Sequence, residues 1–319
     1  MIQVQNVQQQ PSQDVREQLY SQLEDYMGLS STKKKMDSSE KSGGTTLKRK
    51  SSEQSSSSSS SKALSKNTLA IKVNGKTVKG SAQNIVGRVV EAEMGASFRE
   101  EALKAQAVAA YTYIRYNNQK GTIPSLPAKS SVSAKVEDAV EQVIGEALYY
   151  QGEYINATYC ASNAGNSVDS ENVWGGYLPY LRSVESPGDT TLKAYGAVKR
   201  FSEEEIAQYI EENLDVDPYD YSDPDEWFED EEYINGRYVD SIRVCGKRLS
   251  GREVREELME FALPSAAFEV EYDDGEFIFT TYGYGHGVGM SQQGADYFAQ
   301  RGWGYEEILT HYYTGVTLK

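Results

Sequence analysis

Residues 84–117 read NIVGRVVEAEMGASFREEALKAQAVAAYTYIRYN, and this stretch predicts two consecutive helices that decide the fold. In the first helix, an apolar stripe leads to Glu93, a carboxylate at a position where the 3.6-residue period calls for another aliphatic side chain. Glu91 points to the opposite side and is predicted to be an ordinary solvated acid. The preceding members of the stripe are Ile85, Val86, Val89 and Val90.

The second predicted helix begins where Ser97 and Glu100 match a capping box. It continues with a narrow, alanine-lined buried face, and Lys104 and Gln106 lie off that face. Glu93 is therefore expected beside a corner between two helices. The members of the narrow face are Leu103, Ala107, Ala110 and Ile114.

Two roles for Glu93 are compatible with this spacing. It is either a helix-end acid held by a lysine or a backbone amide, or a general acid whose pKa is raised because burial disfavours the charged carboxylate. The first role is the commoner one among proteins in general. The spacing alone does not choose between them.

Composition limits the classes of partner. The chain has 319 residues and a formal net charge of −16, and the acidic excess lies after residue 66. Because affinity for phosphate backbones comes mainly from clustered Lys and Arg, nucleic acid is not an expected partner. Cys160 and Cys245 permit one disulfide at most. The sequence contains no apolar run long enough for an integral membrane segment, so none is expected in the chain as given.

The predicted organisation is a tail followed by a mixed domain. Residues 1–66 are rich in Ser and Lys and are predicted to be disordered, because they offer too little apolar surface to offset chain entropy. Residues 67–319 are predicted to form an α+β domain of helices and antiparallel strands. Within it, an acidic subdomain at about 190–263 is expected to leave the core and return to it. Its stretch 215–233 is predicted to be a solvated acidic excursion.

Local patterns predict the main elements of the mixed domain. Asn74-Gly75 is typical of a two-residue hairpin turn. A helix is expected over Val136–Ala147, and a hairpin turning at Gln151-Gly152 is expected to continue as a strand to Tyr159. Ser202 and Ser250 each open a helix with a capping pattern, and a further hairpin turns at 273–275.

A loop of alternating glycines surrounds His286, one of two histidines in the chain. No βαβ unit surrounds the loop, which argues against dinucleotide binding. Ser291 lacks the second glycine of a nucleophile elbow, which argues against a serine hydrolase. The scattered His and Cys residues show no zinc-ligand spacing. His286 is predicted either to tie the loop to the core or to take part in binding, with equal weight.

Three blocks of sequence carry the strongest resemblance to a known family, and they follow one another along the chain. The first contains VVEAEM at 89–94 and EALKAQAVAA at 101–110, and the second contains VWG at 173–175 and SVESP at 183–187. The third contains GHGVGMSQ at 285–292 and HYYTG at 311–315. Together they span roughly Leu69 to Lys319 and resemble the stage II sporulation protein D family.

This resemblance implies a lytic transglycosylase that acts on peptidoglycan glycan strands lacking stem peptides. In such enzymes a glutamate protonates the glycosidic oxygen and then helps the muramic 6-hydroxyl to close a 1,6-anhydro ring. The family's catalytic glutamate matches Glu93, which the apolar stripe singles out independently. The residues implied in substrate binding are Lys104, Gln106, Asn163, Trp174, His286, Ser291 and Gln292.

The sequence departs from the family pattern in several places, one of which is Ala164-Gly165, where a glycine pair is usual. Tyr111 occupies the position of the usual arginine before Thr112-Tyr113, and Cys160 stands without the histidines of the metal site that some members carry. Neither a zinc ion nor any other cofactor is therefore expected. The resemblance implies an extracytoplasmic location, in the cell wall or intermembrane space of a sporulating bacterium, and a cell-wall amidase as partner.

Two rival functions remain open from the sequence. One is a non-catalytic wall-binding module that stimulates an amidase, in which Glu93 would only pack. The other is a hydrolytic, lysozyme-like enzyme, which would need a second carboxylate about 5–9 Å from the first. Candidates for that carboxylate are Asp169, Glu171 and Glu185.

Overall fold

A computed structural model describes residues 67–319, and the predicted disordered tail lies outside the described residues. As the sequence predicts, this part of the chain is a mixed α+β fold of helices and antiparallel sheets.

The fold begins with a hairpin that leads into the Glu93 helix. Strands β1 (Thr68–Val73) and β2 (Lys76–Ser81) are antiparallel, and Asn74 and Gly75 both adopt left-handed conformations, as a type I′ turn requires. Helix α1 (Ala82–Glu93) buries the predicted apolar stripe. Glu91 is not simply solvated, because its Oε2 accepts hydrogen bonds from the backbone N–H and the hydroxyl of Ser133, at 3.0 and 2.7 Å.

Helix α2 (Glu100–Gln119) forms the centre of the larger core. The predicted capping box at Ser97 is wrong, because the N-cap residue is Arg99, whose backbone N–H donates to Asp296 Oδ1 at 2.7 Å. The predicted narrow face is also wrong, since every residue from Ala102 to Arg115 is buried. The many alanines let helices approach α2 from several sides at once.

The middle of the chain is less regular than its pattern predicts. Helix α3 (Ala134–Val143) ends four residues earlier than expected, because Ile144 is extended. The hairpin turn at Gln151-Gly152 is confirmed, but the strand beyond it breaks after Tyr154. The remaining elements of this part are β3 (Leu148–Tyr150), β4 (Glu153–Tyr154), β5 (Tyr159–Cys160), α4 (Ser170–Trp174) and a 3₁₀ turn (Pro187–Thr191).

A second hydrophobic cluster forms around Trp227, which is fully buried. The prediction of a solvated excursion is therefore wrong at its end, where Trp227 enters the cluster and Phe228 begins a strand. Both capping boxes, at Ser202 and Ser250, are confirmed. The elements here are β6 (Tyr195–Ser202), α5 (Glu203–Leu214), α6 (Pro218–Tyr221), a 3₁₀ turn (Pro224–Glu226), β7 (Phe228–Ile234), β8 (Tyr238–Val244), β9 (Lys247–Leu249), α7 (Gly251–Glu253) and a π-helix (Val254–Leu258).

The last part of the chain returns to the larger core. Strand β11 pairs with both β10 and β6, which confirms the hairpin at 273–275, and β12 pairs in parallel with β5. This short parallel pair lies next to the end of α1. The elements are β10 (Phe268–Asp273), β11 (Glu276–Tyr282), β12 (Met290–Ser291), α8 (Gln292–Gln300), α9 (Tyr305–Tyr312) and β13 (Thr317–Leu318).

Candidate active site

Glu93, the last residue of α1, lines a cleft of about 330 Å³. The walls come from widely separated parts of the chain: α1 and α2, the segment from Thr158 to Ala161, the π-helix, and the glycine loop. Several of the residues singled out from sequence meet here, although they are up to about 200 positions apart. Those that line the cleft are Glu93, Trp174, His286 and Gln292.

Gln292 is the residue that contacts the Glu93 carboxylate. Its Nε2 donates a hydrogen bond to Glu93 Oε2 at 3.2 Å. The glycine loop makes this contact possible because it lies directly against β5. At Gly289, which has a φ of 78°, an added Cβ would come within 2.2 Å of the Thr158 carbonyl oxygen. The close approach fixes β12 beside β5, and helix α8 then starts at Gln292.

Burial changes the acid strength of Glu93. Desolvation raises the pKa of its carboxyl from 4.5 to about 7, and the hydrogen bond from Gln292 offsets part of that rise. At neutral pH the group is therefore divided between its protonated and its charged form. A carboxyl in this condition can both donate and accept a proton.

Two tyrosines stand beside Glu93 on the cleft wall. Tyr159 and Tyr113 meet edge to face, with ring centroids 6.5 Å apart. Burial, together with the nearby Glu93 carboxylate, raises the pKa of Tyr159 well above 10, so its hydroxyl stays protonated. Gln106 is fully buried on α2 and does not itself line the cleft.

His286 also lines the cleft and is neutral. Its Nδ1 accepts from the backbone N–H of Val288 at 3.0 Å, so its Nε2 carries the proton and donates to the Tyr159 carbonyl at 3.1 Å. Desolvation, with Arg255 nearby, lowers the pKa of His286 to about 4. The ring of Trp174 packs against the imidazole, with centroids 5.2 Å apart. Both rings therefore present an uncharged aromatic surface to the cleft.

Arg255 and Glu256 also line the cleft, and no sequence pattern pointed to them. Both are buried on the π-helix, which belongs to the part of the chain that was expected to form a separate subdomain. Arg255 Nη1 donates to Glu256 Oε1 at 3.3 Å, and Arg252 Nε donates to Glu256 Oε2 at 2.8 Å. In the sequence, the only feature that could have indicated Arg255 and Glu256 is that they are charged residues close to the capping box at Ser250.

Besides Gln106, three further predicted binding residues lie outside the cleft lining. Ser291 is fully buried, where its hydroxyl donates to Asp189 Oδ1 at 2.8 Å and accepts from the N–H of Gly294. Asn163 is also fully buried, and its backbone N–H donates to Asp189 Oδ2 at 3.0 Å. Lys104 pairs with two glutamates on its own helix, Glu100 at 2.9 Å and Glu101 at 2.8 Å.

Asp189 is the shared partner of these interior groups, and sequence reasoning missed it. Besides Asn163 and Ser291, it accepts a hydrogen bond from the hydroxyl of Ser186 at 2.7 Å. Burial raises the pKa of Asp189 to about 6, against the opposing effect of these donors. The cluster ties the 3₁₀ turn Pro187–Thr191 to the start of α8.

The acids proposed as a second carboxylate lie elsewhere. Glu171 is bound by the guanidinium of Arg182, and Asp169 accepts from the backbone N–H of Ser183 at 2.7 Å. Glu185 lines a different cleft, of about 480 Å³, which Arg237 also lines. In the part of the chain that the structure describes, the carboxylates lining the Glu93 cleft are Glu93 and Glu256.

The two cysteines are not linked to each other. Cys160 and Cys245 are both buried and free, so they do not form a disulfide. Burial raises the pKa of the Cys160 thiol to about 12, and its Sγ donates to Asn163 Oδ1. Within residues 67–319, no three His, Cys, Asp or Glu side chains are arranged to hold a metal ion. No helix in that range has the length and apolar character needed to cross a bilayer.

Comparison with known proteins places this fold in a family. Residues 76–150, which include Glu93 and α2, match the family model described as "Stage II sporulation protein". The chain is 33% identical over 274 residues to stage II sporulation protein D of Bacillus amyloliquefaciens, covering 76% of this chain and 77% of that protein. It is 32% identical to stage II sporulation protein D of Bacillus subtilis (strain 168), with the same coverage.

A protein with a different name is also similar. The chain is 27% identical over 295 residues to the amidase enhancer of Bacillus subtilis (strain 168), covering 72% of this chain and 39% of that protein. The identity and coverage are higher for the sporulation proteins, over most of both chains. The chain belongs to the stage II sporulation protein D family.

Proposed function

We propose that this protein is a lytic transglycosylase that cleaves the bond between N-acetylmuramic acid and N-acetylglucosamine in stem-peptide-free peptidoglycan strands. The observation that carries the proposal is the Glu93 carboxyl, which faces a cleft and has a pKa of about 7. A general acid works best when its pKa lies near the operating pH. Residues 67–319 form the catalytic unit, and the segment at about 190–263 is an insertion that contributes one wall of the cleft.

Glu93 performs both proton transfers in this reaction. The protonated carboxyl gives its proton to the glycosidic oxygen, the bond from that oxygen to C1 of the muramic sugar breaks, and the glucosamine sugar leaves with a 4-hydroxyl. The Glu93 carboxylate then accepts the proton of the muramic 6-hydroxyl while its oxygen bonds to C1. The 1,6-anhydro ring closes, Glu93 is protonated again, and no water is consumed.

Among the described residues, the lack of a suitable second carboxylate in the cleft favours ring closure over hydrolysis. A hydrolytic enzyme of this type needs a second acid to act as nucleophile or to activate water. Among the described residues, the other carboxylate of the cleft wall is Glu256, which Arg252 and Arg255 both engage. With its charge already paired, Glu256 is poorly suited to either task.

The remaining walls suit a neutral, hydroxyl-rich substrate. Tyr113, Tyr159 and Trp174 supply aromatic faces with polar edges, and His286 is uncharged. Gln292 binds Glu93 and positions it, and Ser291, Asn163 and Asp189 hold Gln292 in place from the interior. In this proposal those three residues position the site without touching the substrate.

The test is mass spectrometry of the products after the protein is incubated with peptide-free glycan strands. We expect anhydro-ended fragments from the unaltered protein and none from Glu93→Gln, which keeps the shape of the side chain and removes the transferable proton. Glu91→Gln is the matched control, because it makes the same change on the same helix outside the cleft and should leave cleavage unaltered. Reducing-end fragments would instead mean hydrolysis and would overturn the proposal.

The similarity to an amidase enhancer favours a second candidate function, stimulation of a cell-wall amidase by a bound but uncleaved strand. In this case Glu93→Gln would stimulate an added amidase as well as the unaltered protein does, and neither would shorten the strands. In both cases the protein acts on the cell wall outside the cytoplasm, in the remodelling that accompanies sporulation.

A further inference from the structure

Arg255 is a buried cation in the Glu93 cleft, and the proposed proton transfers do not use it. The residue is only 8% exposed, yet it is part of the cleft wall. A guanidinium remains charged under all ordinary conditions, and a charge removed from water needs compensating partners. The partners of Arg255 therefore indicate what it is available to bind.

Those partners leave part of the guanidinium unused. Its Nη1 reaches Glu256 at a long 3.3 Å, while Arg252 makes a shorter, 2.8 Å bond to the same carboxylate. Its buried Nε makes no hydrogen bond with any residue in the described part of the chain. The ring of Phe261 lies 5.0 Å from the guanidinium carbon and covers one face. A guanidinium has five N–H donors in a planar fork, and the hydrogen bonds to described residues use only part of them.

The backbone that carries Arg255 is unusual. Val254–Leu258 is a π-helix that directly follows the capped turn at Ser250. Such widened turns are rare and occur frequently at functional sites. Here the widened turn places Arg255 on the cleft wall.

Arg255 and Glu93 have different hydrogen-bond partners. Gln292 Nε2 donates to Glu93, whereas Arg255 Nη1 donates to Glu256. Arg255 also helps to lower the pKa of His286, which lines the same cleft. A ligand anion can therefore bind Arg255 without removing the proton that Glu93 has to donate.

We propose that Arg255 binds the free carboxylate of the 3-O-lactyl group on N-acetylmuramic acid, and thereby selects strands without stem peptides. This inference rests on the proposed function. The lactyl group branches from C3 of the same sugar whose C1 reacts, which brings its carboxylate into the same cleft. In a strand that carries a stem peptide, this carboxylate is a neutral amide, and it cannot form the charge-assisted, two-pronged pair that guanidinium favours.

The first experiment needs no variant of the protein. Cleavage of peptide-free strands is compared with cleavage of the same strands after their lactyl carboxylates have been converted to primary carboxamides. We expect KM to be about 10- to 100-fold higher for the carboxamide strands, with little change in kcat, because a hydrogen-bonded charge pair is lost away from the reacting bond. Equal KM values for the two substrates would overturn the proposal.

The second experiment assigns the discrimination to Arg255. Arg255→Gln should raise KM for native strands to the value for carboxamide strands and leave the latter unchanged. Arg255→Lys, which keeps the charge but not the fork, should retain part of the discrimination. Arg243→Gln is the control, because Arg243 lies on β8, pairs with Asp230 and does not line the cleft. If Arg255→Gln cleaves native strands as well as the unaltered protein does, the assignment fails.

A binding measurement separates this inference from the proposed function. Calorimetric titration of Glu93→Gln with native and carboxamide strands reports recognition without turnover. Weaker binding of carboxamide strands by Glu93→Gln, together with no cleavage of any strand by the unaltered protein, would support the Arg255 site and refute the transglycosylase. Cleavage that yields anhydro ends, with equal binding of both strands, would refute the Arg255 site alone.

Discussion

Two carboxyl groups in this protein have raised pKa values for the same reason, but their surroundings differ. Burial raises the pKa of Glu93 to about 7 and that of Asp189 to about 6. Asp189 lies in the interior and accepts hydrogen bonds from three groups. Glu93 faces a cleft, and among the described side chains Gln292 is its donor. A raised pKa therefore indicates burial only. Whether the carboxyl faces a cleft or is surrounded by hydrogen-bond donors indicates whether it can take part in chemistry.

The contrast between the two carboxyl groups predicts the largest loss of stability for a substitution at Asp189. Asp189→Ala would leave two buried hydroxyls and one buried backbone N–H without their acceptor, and each such loss is costly. We expect the free energy of unfolding to fall by about 3–5 kcal/mol, measured by urea denaturation.

Conservative substitutions to the corresponding amides at Asp189 and Glu93 make this prediction more specific. Asp189→Asn keeps one oxygen acceptor and should reduce stability by a smaller amount, about 1–2 kcal/mol. Glu93→Gln should not reduce stability, since it removes a carboxylate that burial penalises. An equal loss of stability at both positions would mean that Glu93 is a structural acid and that the contrast is mistaken.

The next largest predicted effect is a pH dependence of the protein's stability that the raised pKa of Glu93 causes. Because the folded-state pKa of Glu93 is raised from 4.5 to about 7, the folded state holds its proton more tightly than the unfolded state. Stability from this group is therefore complete below about pH 4.5 and is lost as pH rises to about 7. Glutamine does not titrate and avoids that loss.

We accordingly expect Glu93→Gln to exceed the unaltered protein in stability by about 2 kcal/mol at pH 8, and by much less at pH 5. The figure is smaller than the full shift implies because the residue is partly exposed to solvent. Urea denaturation at the two pH values gives the measurement, and Glu91→Gln is the control. An advantage of the same size at both pH values would show that the pKa of Glu93 is not raised.

How far the sequence predicts this site depends on the range of the interactions. The place of Glu93 at the end of α1 follows from a local period, and the hairpin turns and two capping boxes follow from short patterns, so the sequence was sufficient to predict these local features. The cap of α2 could not be predicted, because Asp296 supplies it from 197 positions away. A local serine pattern cannot compete with such a tertiary contact.

The same limit applies to the predicted binding residues. Trp174, His286 and Gln292 line the cleft, whereas Ser291 and Asn163 face the interior, although all five lie in loops or at the ends of short elements. Arg255 was not predicted as a site residue, because it lies in a segment that the sequence pattern assigns to an inserted subdomain. Which side of a loop faces a cleft is set by the packing of distant elements, such as β12 against β5, and no local period encodes it.

The smallest predicted effect comes from the hydrogen bond between Gln292 and Glu93, a contact that Asp189 does not have. Gln292 stabilises the charged form of Glu93, so Gln292→Met should raise the pKa of Glu93 further. Because the proposed cleavage needs the protonated acid, the fall of kcat/KM at high pH should move upward, by about half a pH unit. Gln293→Met is the matched control, since Gln293 contacts the Ala161 carbonyl through its backbone alone in the described hydrogen bonds. A downward movement would mean that Gln292 holds Glu93 in its neutral form and would reverse the assigned direction of that hydrogen bond.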